Sequence, residues 1–214
     1  MRFIALTLSF LILTFTTPAL ASYEDGLTAY QQKDWFNAIR NLRPLAEEND
    51  DRALVLLGNM YNDGNGVPKN SKTAFEHYKR ALINNNNNAM VAIATMYAQG
   101  MGVEKDFKTG FNWFKKSAEY GNSAGQIMFA SILIKGHPEL PELEPNPQHA
   151  YAWYRIVELN ATEASFKKLG TELGKRLSSQ LTPDQIVNAE KFAKNWQPVS
   201  TETETKETKN KEQE

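Results

Sequence analysis

The chain matches itself when it is shifted by 36 residues. The shift lays Ala53 on Ala89, Leu57 on Ile93, Gly58 on Ala94, Tyr61 on Tyr97, Gly64 on Gly100, Gly66 on Gly102 and Val67 on Val103. It continues through Lys72 and Lys108, Thr73 and Thr109, Phe75 and Phe111, and Tyr78 and Phe114. A second shift reaches Gly125, Phe129, Ala130, Leu133 and Gly136. Four extra residues then intervene before Ala150-Tyr151-Ala152-Trp153-Tyr154 answers Ala74-Phe75-Glu76-His77-Tyr78. A unit this short cannot close a core of its own, so a fixed period in this range forces neighbours to stack and share one apolar interior.

Within each unit the apolar spacing is helical. Ala53, Leu57, Met60 and Tyr61 recur at spacings of three and four and fall on one face. The small residue at 58 or 94 lets a neighbouring helix come close. Asp63-Gly64-Asn65-Gly66 and Gln99-Gly100-Met101-Gly102 then supply residues tolerant of positive φ where the chain reverses, and Gly136 stands at the corresponding point of the third unit. Asn70 or Asp106 is placed to cap a second helix through its side-chain oxygen. That helix carries Ala74, Phe75, Tyr78 and Ala81, repeated as Gly110, Phe111, Phe114 and Ala118. The Asn84 to Asn88 run reads as a turn between units, in which Asn86→Ala is expected to do little.

The pattern Ala-x-x-x-Leu-Gly-x-x-Tyr-x-x-Gly-x-Gly-Val, a polar turn, then Ala-Phe-x-x-Tyr-x-x-Ala resembles the Sel1-like repeat family, a variant of the tetratricopeptide helix pairs. Ala53 to Ala81 and Ala89 to Gly121 match it best. The third unit departs, because Pro138 and Glu139 stand in place of Gly66 and Val67 and its turn needs a different backbone. Upstream, Gly26-Leu27-x-Ala29-Tyr30 with Asp34-Trp35-x-x-Ala38 resembles a plainer tetratricopeptide unit. The resemblance implies an all-α, right-handed superhelical solenoid of antiparallel helix pairs with C-terminal capping helices. Residues 22–48 form the tetratricopeptide-like pair, 49–86 and 87–122 two Sel1-like repeats, and 123–160 a divergent third.

Past residue 160 the period is lost but helical spacing continues, and 161–197 is expected to close the stack. Ala164, Phe166, Leu169, Leu173 and Leu177 mark the inward face of one capping helix. Thr182-Pro183-Asp184-Gln185 combines an N-cap, a first-turn proline and a capping-box partner, and opens another helix carrying Ile186, Ala189, Phe192, Ala193 and Trp196. From 198 to 214 the one aliphatic residue is Val199, so this tail is expected to be disordered.

At the other end, Arg2 is followed by the uncharged, mostly apolar Phe3 to Thr17, then Pro18 and Ala19-Leu20-Ala21. This reads as a secretory signal peptide, residues 1–21, cut between Ala21 and Ser22. A spanning helix needs about 20 apolar residues, and Pro18 with Ser22-Tyr23-Glu24-Asp25 stops this stretch short. Uncleaved anchoring is the competing reading. Cleavage is expected to leave a periplasmic protein with no stable membrane anchor. Asn160-Ala161-Thr162 is a glycosylation sequon and leaves a eukaryotic lumenal setting open.

Composition removes several functions. Residues 22–197 hold 20 bases and 20 acids, so there is no basic excess to neutralise phosphates and nucleic acid is not an expected partner. With no cysteine there is no thiol catalysis, Cys-ligated zinc or disulfide framework. Three histidines, His77, His137 and His149, include none with a second ligand one helical turn away, so no metal site or cofactor is expected. Gly64-x-Gly66 and Gly100-x-Gly102 recur with the repeat and are read as turns rather than phosphate loops. No catalytic constellation emerges.

Two surfaces remain as candidates. On a helical wheel Val55, Asn59 and Asn62 lie opposite Leu57. The period carries them onto Val91, Thr95 and Ala98, then Ile127, Ser131 and Ile134. A stripe of small polar and aliphatic residues suits a concave face that receives a protein or peptide, and charged substitutions there are expected to block docking without unfolding the scaffold. A wetted inner face with no partner is the plainer reading. The second surface is the proline-rich insertion from Gly136 to Pro147, which projects as a loop. The expected function is an exported, non-enzymatic adaptor in the bacterial cell envelope. The resemblance places relatives in motility, exopolysaccharide regulation, host interaction and quality control. An envelope hydrolase or peptidoglycan-modifying enzyme using two converging carboxylates is the alternative.

Overall fold

The computed structural model describes residues 22–199, within which the chain forms ten α-helices, one 3-10 turn and no strand. The expected export segment, residues 1–21, and residues 200–214 lie outside the described residues. Four antiparallel pairs follow one another. They are α1 (Tyr23–Gln31) with α2 (Trp35–Glu47), α3 (Asp51–Asp63) with α4 (Ser71–Ala81), α5 (Asn87–Gln99) with α6 (Phe107–Glu119), and α7 (Ser123–Lys135) with α8 (Pro147–Asn160). A 3-10 turn, Leu82–Asn84, joins α4 to the third pair, and α9 (Ala164–Ser178) and α10 (Pro183–Asn195) complete the chain.

Caps set where these helices begin, and they repeat with the sequence. Asp50, Asn86 and Asn122 stand at the N-caps of α3, α5 and α7, and Asp34, Asn70, Asp106 and Asn146 at those of α2, α4, α6 and α8. In each the side-chain oxygen accepts a backbone N–H two or three residues on, satisfying a donor that the first turn leaves without an intrahelical acceptor. Asn86 is therefore not a passive turn residue as the sequence suggested. It accepts from the N–H groups of Asn88 and Ala89, and its Nδ2 donates to Asp51 Oδ2 at 2.7 Å, tying one repeat to the next. The first helices end as expected. Gly64 (φ 80°) and Gly100 (φ 72°) are left-handed, and their N–H groups return to the carbonyls of Met60 and Met96.

Packing follows from small residues at the crossings. A Cβ on Gly58 would stand 2.5 Å from Tyr78 Cε1, so glycine is what lets the Tyr78 ring lie flat on α3. The interior consists of two apolar clusters, one centred on Leu42, Leu54, Met60 and Ile93 and one on Phe114, Phe129, Trp153 and Tyr154, with Trp113 packed against both. First helices of neighbouring pairs touch where α1 meets α3 and α5 meets α7, and each second helix packs on the first helix of the next pair, α2 on α3, α4 on α5 and α6 on α7.

The third turn differs from the other two, as its sequence requires. Gly136 has φ 68° and ψ −165°, extended rather than left-handed helical backbone. The insertion does not project freely. Leu140 is buried, the His137 ring stacks on Phe107 at 3.5 Å, and Lys105 and Lys108 pair with Glu139 and Glu142 at 2.7 and 3.2 Å. It is a strap bound across the start of α6.

The last two helices correct the sequence reading in detail. On α9 the expected Leu177 is buried and Leu173 packs against the core, but Ala164 is exposed and Leu169 38% exposed, and the inward face is completed by Gly170 and Gly174. The reason is distance: a Cβ on Gly170 would sit 2.9 Å from the Tyr154 carbonyl oxygen, so the glycine edge settles closest to α8. Helix α10 opens with the expected capping box at Thr182 and Gln185 and turns back along α8. Pro198 and Val199, assigned by the sequence to the disordered tail, are ordered. Pro198 lies against Gly121, and the N–H of Val199 donates to the Glu119 carbonyl at 2.9 Å, so both belong to the folded part.

Candidate functional site

The inner stripe is present but is largely taken up by the scaffold. Val55, Val91 and Ile127 are half-buried and packed against the two core clusters. Asn59 Oδ1 accepts the hydroxyl of Tyr78 at 2.7 Å, and Ser131 Oγ lies 3.0 Å from that of Tyr154. The middle repeat has Phe114 at this place, with no hydroxyl, and there Thr95 donates back to the Val91 carbonyl of its own helix. The amide of Asn62 donates to Asp63. The stripe thus bonds across to the second helix at Asn59 and Ser131, while Thr95 and Asn62 bond within their own helices. The signal that could have shown this is its second-helix partner, tyrosine where the stripe residue can pair with it and phenylalanine in the middle repeat.

The other face carries a feature the sequence reading missed. Between successive second helices runs a groove floored by the first helix of the later pair. The first, between α2 and α4, is about 220 Å³ and is lined by Ile39, Arg43, Ala46, Glu47, Leu57, Tyr61 and His77. The second, between α4 and α6, is about 420 Å³ and is lined by Phe75, Lys79, Leu82, Ile83, Ile93, Tyr97 and Trp113. Each residue of the second list stands 36 places after its counterpart in the first. The chemistry changes from one to the next. In the first groove His77 stacks on Tyr61 at 5.4 Å, and burial, with Arg80 adding like charge, holds its imidazole below the usual range. In the second the rim residues become Leu82 and Ile83, the latter 76% exposed, and the aromatic wall becomes Phe75, Tyr97 and Trp113.

The third groove, between α6 and α8, is closed. Phe111, Phe129, Leu133 and Trp153 occupy the corresponding places, Trp153 being 40 residues after Trp113 because of the four-residue insertion. Over them lies the end of the chain. The Trp196 ring meets Trp153 edge-on at 5.7 Å, and Pro198 and Val199 cross the C-terminus of α6.

A further cleft of about 300 Å³ lies between α8 and α10, lined by Asn146, Gln148, His149, Asn188 and Phe192. His149 stacks on Trp153 and meets Phe192 edge-on, and burial together with Lys115 lowers its pKa. No acid lines this cleft. Beside it Glu158 and Glu190 close on the Arg155 guanidinium, with Tyr151 donating to Glu190 at 2.9 Å. Among the described residues no group of three or more His, Asp or Glu could hold a metal ion, and no helix is long and apolar enough to cross a membrane.

Stacked helix pairs with grooves between successive second helices define a helical-repeat scaffold, a type of fold that commonly mediates protein–protein interaction. The chain carries three Sel1 repeats: the Sel1 repeat family matches residues 51–86, 87–122 and 132–156. Among solved structures it is similar to a Sel1 repeat protein from Oxalobacter formigenes, at 25% identity and a TM-score of 0.55, over 61% of this chain and 50% of that one. It is also similar to c5321, described as a protective antigen present in uropathogenic Escherichia coli strains and displaying the SLR fold. That likeness has 21% identity and a TM-score of 0.52, over 80% of this chain and 45% of the antigen, and shows the fold alone. The chain spans about half the length of these structures. No curated protein matches it.

Proposed function

We propose that this protein is an exported, non-catalytic adaptor of the bacterial cell envelope that holds a protein partner in the groove between α4 and α6. The observation that carries this reading is the groove itself: a concavity with an exposed aliphatic rim and three aromatic walls, standing where the next repeat has its own chain packed. Apolar surface removed from water supplies affinity at about 25 cal/mol per Å², and aromatic residues concentrate it. Export is supported by the sequence of residues 1–21, a charged start, an apolar run and Ala19-Leu20-Ala21 before Ser22.

Two measurements test the proposal. Mass spectrometry of the protein recovered from a periplasmic fraction should find Ser22 as its first residue, and a soluble cytosolic product retaining residues 1–21 would refute export. Photo-crosslinking from position 83 in living cells should yield a discrete adduct. Absence of any adduct from position 83, and from positions 59 and 131 on the opposite face, would refute the adaptor role.

A further inference from the structure

The third groove shows what kind of ligand this surface accepts. Trp196 packs edge-on against Trp153, Pro198 lies on Gly121, and the Val199 N–H donates to the carbonyl of Glu119. The segment is extended as it leaves α10, with Trp196 at φ −69° and ψ 139°. An aromatic ring thus fills the wall while proline and a β-branched aliphatic cross the end of the second helix.

The same places exist one repeat earlier and stand open. Trp113 takes the position of Trp153, Ile83 that of Glu119, and Asn85 that of Gly121. Asn85 and Gly121 share a positive φ, 54° and 85°, so the backbone turns alike at the end of both second helices. Replacing Glu119 by Ile83 makes the open rim more apolar than the filled one.

Resting on the adaptor reading of this groove, we propose that it binds an extended segment of a partner protein with an aromatic residue followed two positions later by proline and then a branched aliphatic. This is the chemistry of Trp196-Gln197-Pro198-Val199. The occupant is a partner rather than the tail of a second copy. Each copy's own segment is already seated on its own third groove, where tethering gives it an effective concentration that a second chain does not match.

The test uses the full mature chain and a fluorescein-labelled peptide of residues 194–204, Lys-Asn-Trp-Gln-Pro-Val-Ser-Thr-Glu-Thr-Glu. Anisotropy should show saturable binding at one site. Ile83→Asp, at an exposed position that leaves melting unchanged, should weaken it at least tenfold, and a scrambled peptide should not bind. In a chain carrying Trp196→Ala and Val199→Asp the third groove opens, and the stoichiometry should rise from one to two. Absence of binding to the parent, equal binding of the scrambled peptide, or binding undiminished by Ile83→Asp would each overturn the proposal. So would sedimentation showing the parent as a dimer that dissociates on Val199→Asp, which makes a second copy the occupant. The crosslinking experiment separates the two failures. An adduct formed through positions 59 and 131 with no peptide binding leaves the adaptor standing and removes this inference.

Discussion

Tyr78 is buried, and its hydroxyl reaches Asn59 on the neighbouring helix at 2.7 Å. Burial pushes its pKa far above the ordinary phenol value, so the neutral donor is the form the fold holds. Tyr78→Phe and Asn59→Ala are each expected to cost about 1 kcal/mol, and the double variant little more than either, because both remove one bond. Urea denaturation of the cycle checks this, and full additivity would mean that the bond contributes nothing. The same contact explains why charged residues at 59 and 131 do not make a clean docking test: they displace the partners of Tyr78 and Tyr154. Protonation gives a second test at this scale. Burial lowers the pKa of both His77 and His149, so their folded forms resist a proton that the unfolded chain accepts near the ordinary value of about 6.5. The stability they contribute is complete above that pH and is lost as pH falls below it. Melting temperatures at pH 7.5 and 5.5 should show a drop, and a smaller one in the His77→Gln, His149→Gln double variant.

Among the elements, helix ends decide most of the register. Asn86→Ala removes a cap that accepts two N–H groups and the link to Asp51, and is expected to cost about 1 kcal/mol. Gly64→Val and Gly100→Val force a β-branched residue into left-handed backbone and should each cost at least about 1 kcal/mol. Chemical denaturation of the three variants measures all of these, and parent-like midpoints would refute the capping account. The glycine turns were legible because each acts within four residues of itself, whereas the role of Asn86 was missed, its link to Asp51 lying 35 residues away. The face of α9 was not legible either. Apolar spacing pointed to Leu169, but contact is set by how near α8 comes, and Gly170 permits the closest approach. The proline-rich strap was misjudged for a similar reason: Phe107, Lys105 and Lys108, which hold it down, belong to the preceding repeat.

At the scale of the molecule, stability in a stack is close to a sum of repeat and interface terms, so damage at one end stays local. Trp196→Ala uncovers Trp153 and should cost about 2 kcal/mol. Hydrogen exchange is expected to quicken in α8 and at the end of α6 while α3 and α4 keep their protection. Uniform loss across all pairs would mean that the solenoid unfolds as one unit. The sequence by itself determined the period, the helix pairs, the glycine turns and the capping box, because these follow from spacing and from contacts a few residues apart. It also carried the list of groove residues, at the same 36-residue offset as everything else, but not the fact that they line a groove. Only the tertiary structure decided which grooves are open. That depends on α10 turning back along α8, so that Trp196 and Val199 reach residues 43 and 80 places earlier in the chain. A contact at that separation leaves no periodic trace: the segment that closes the groove is not itself repeated.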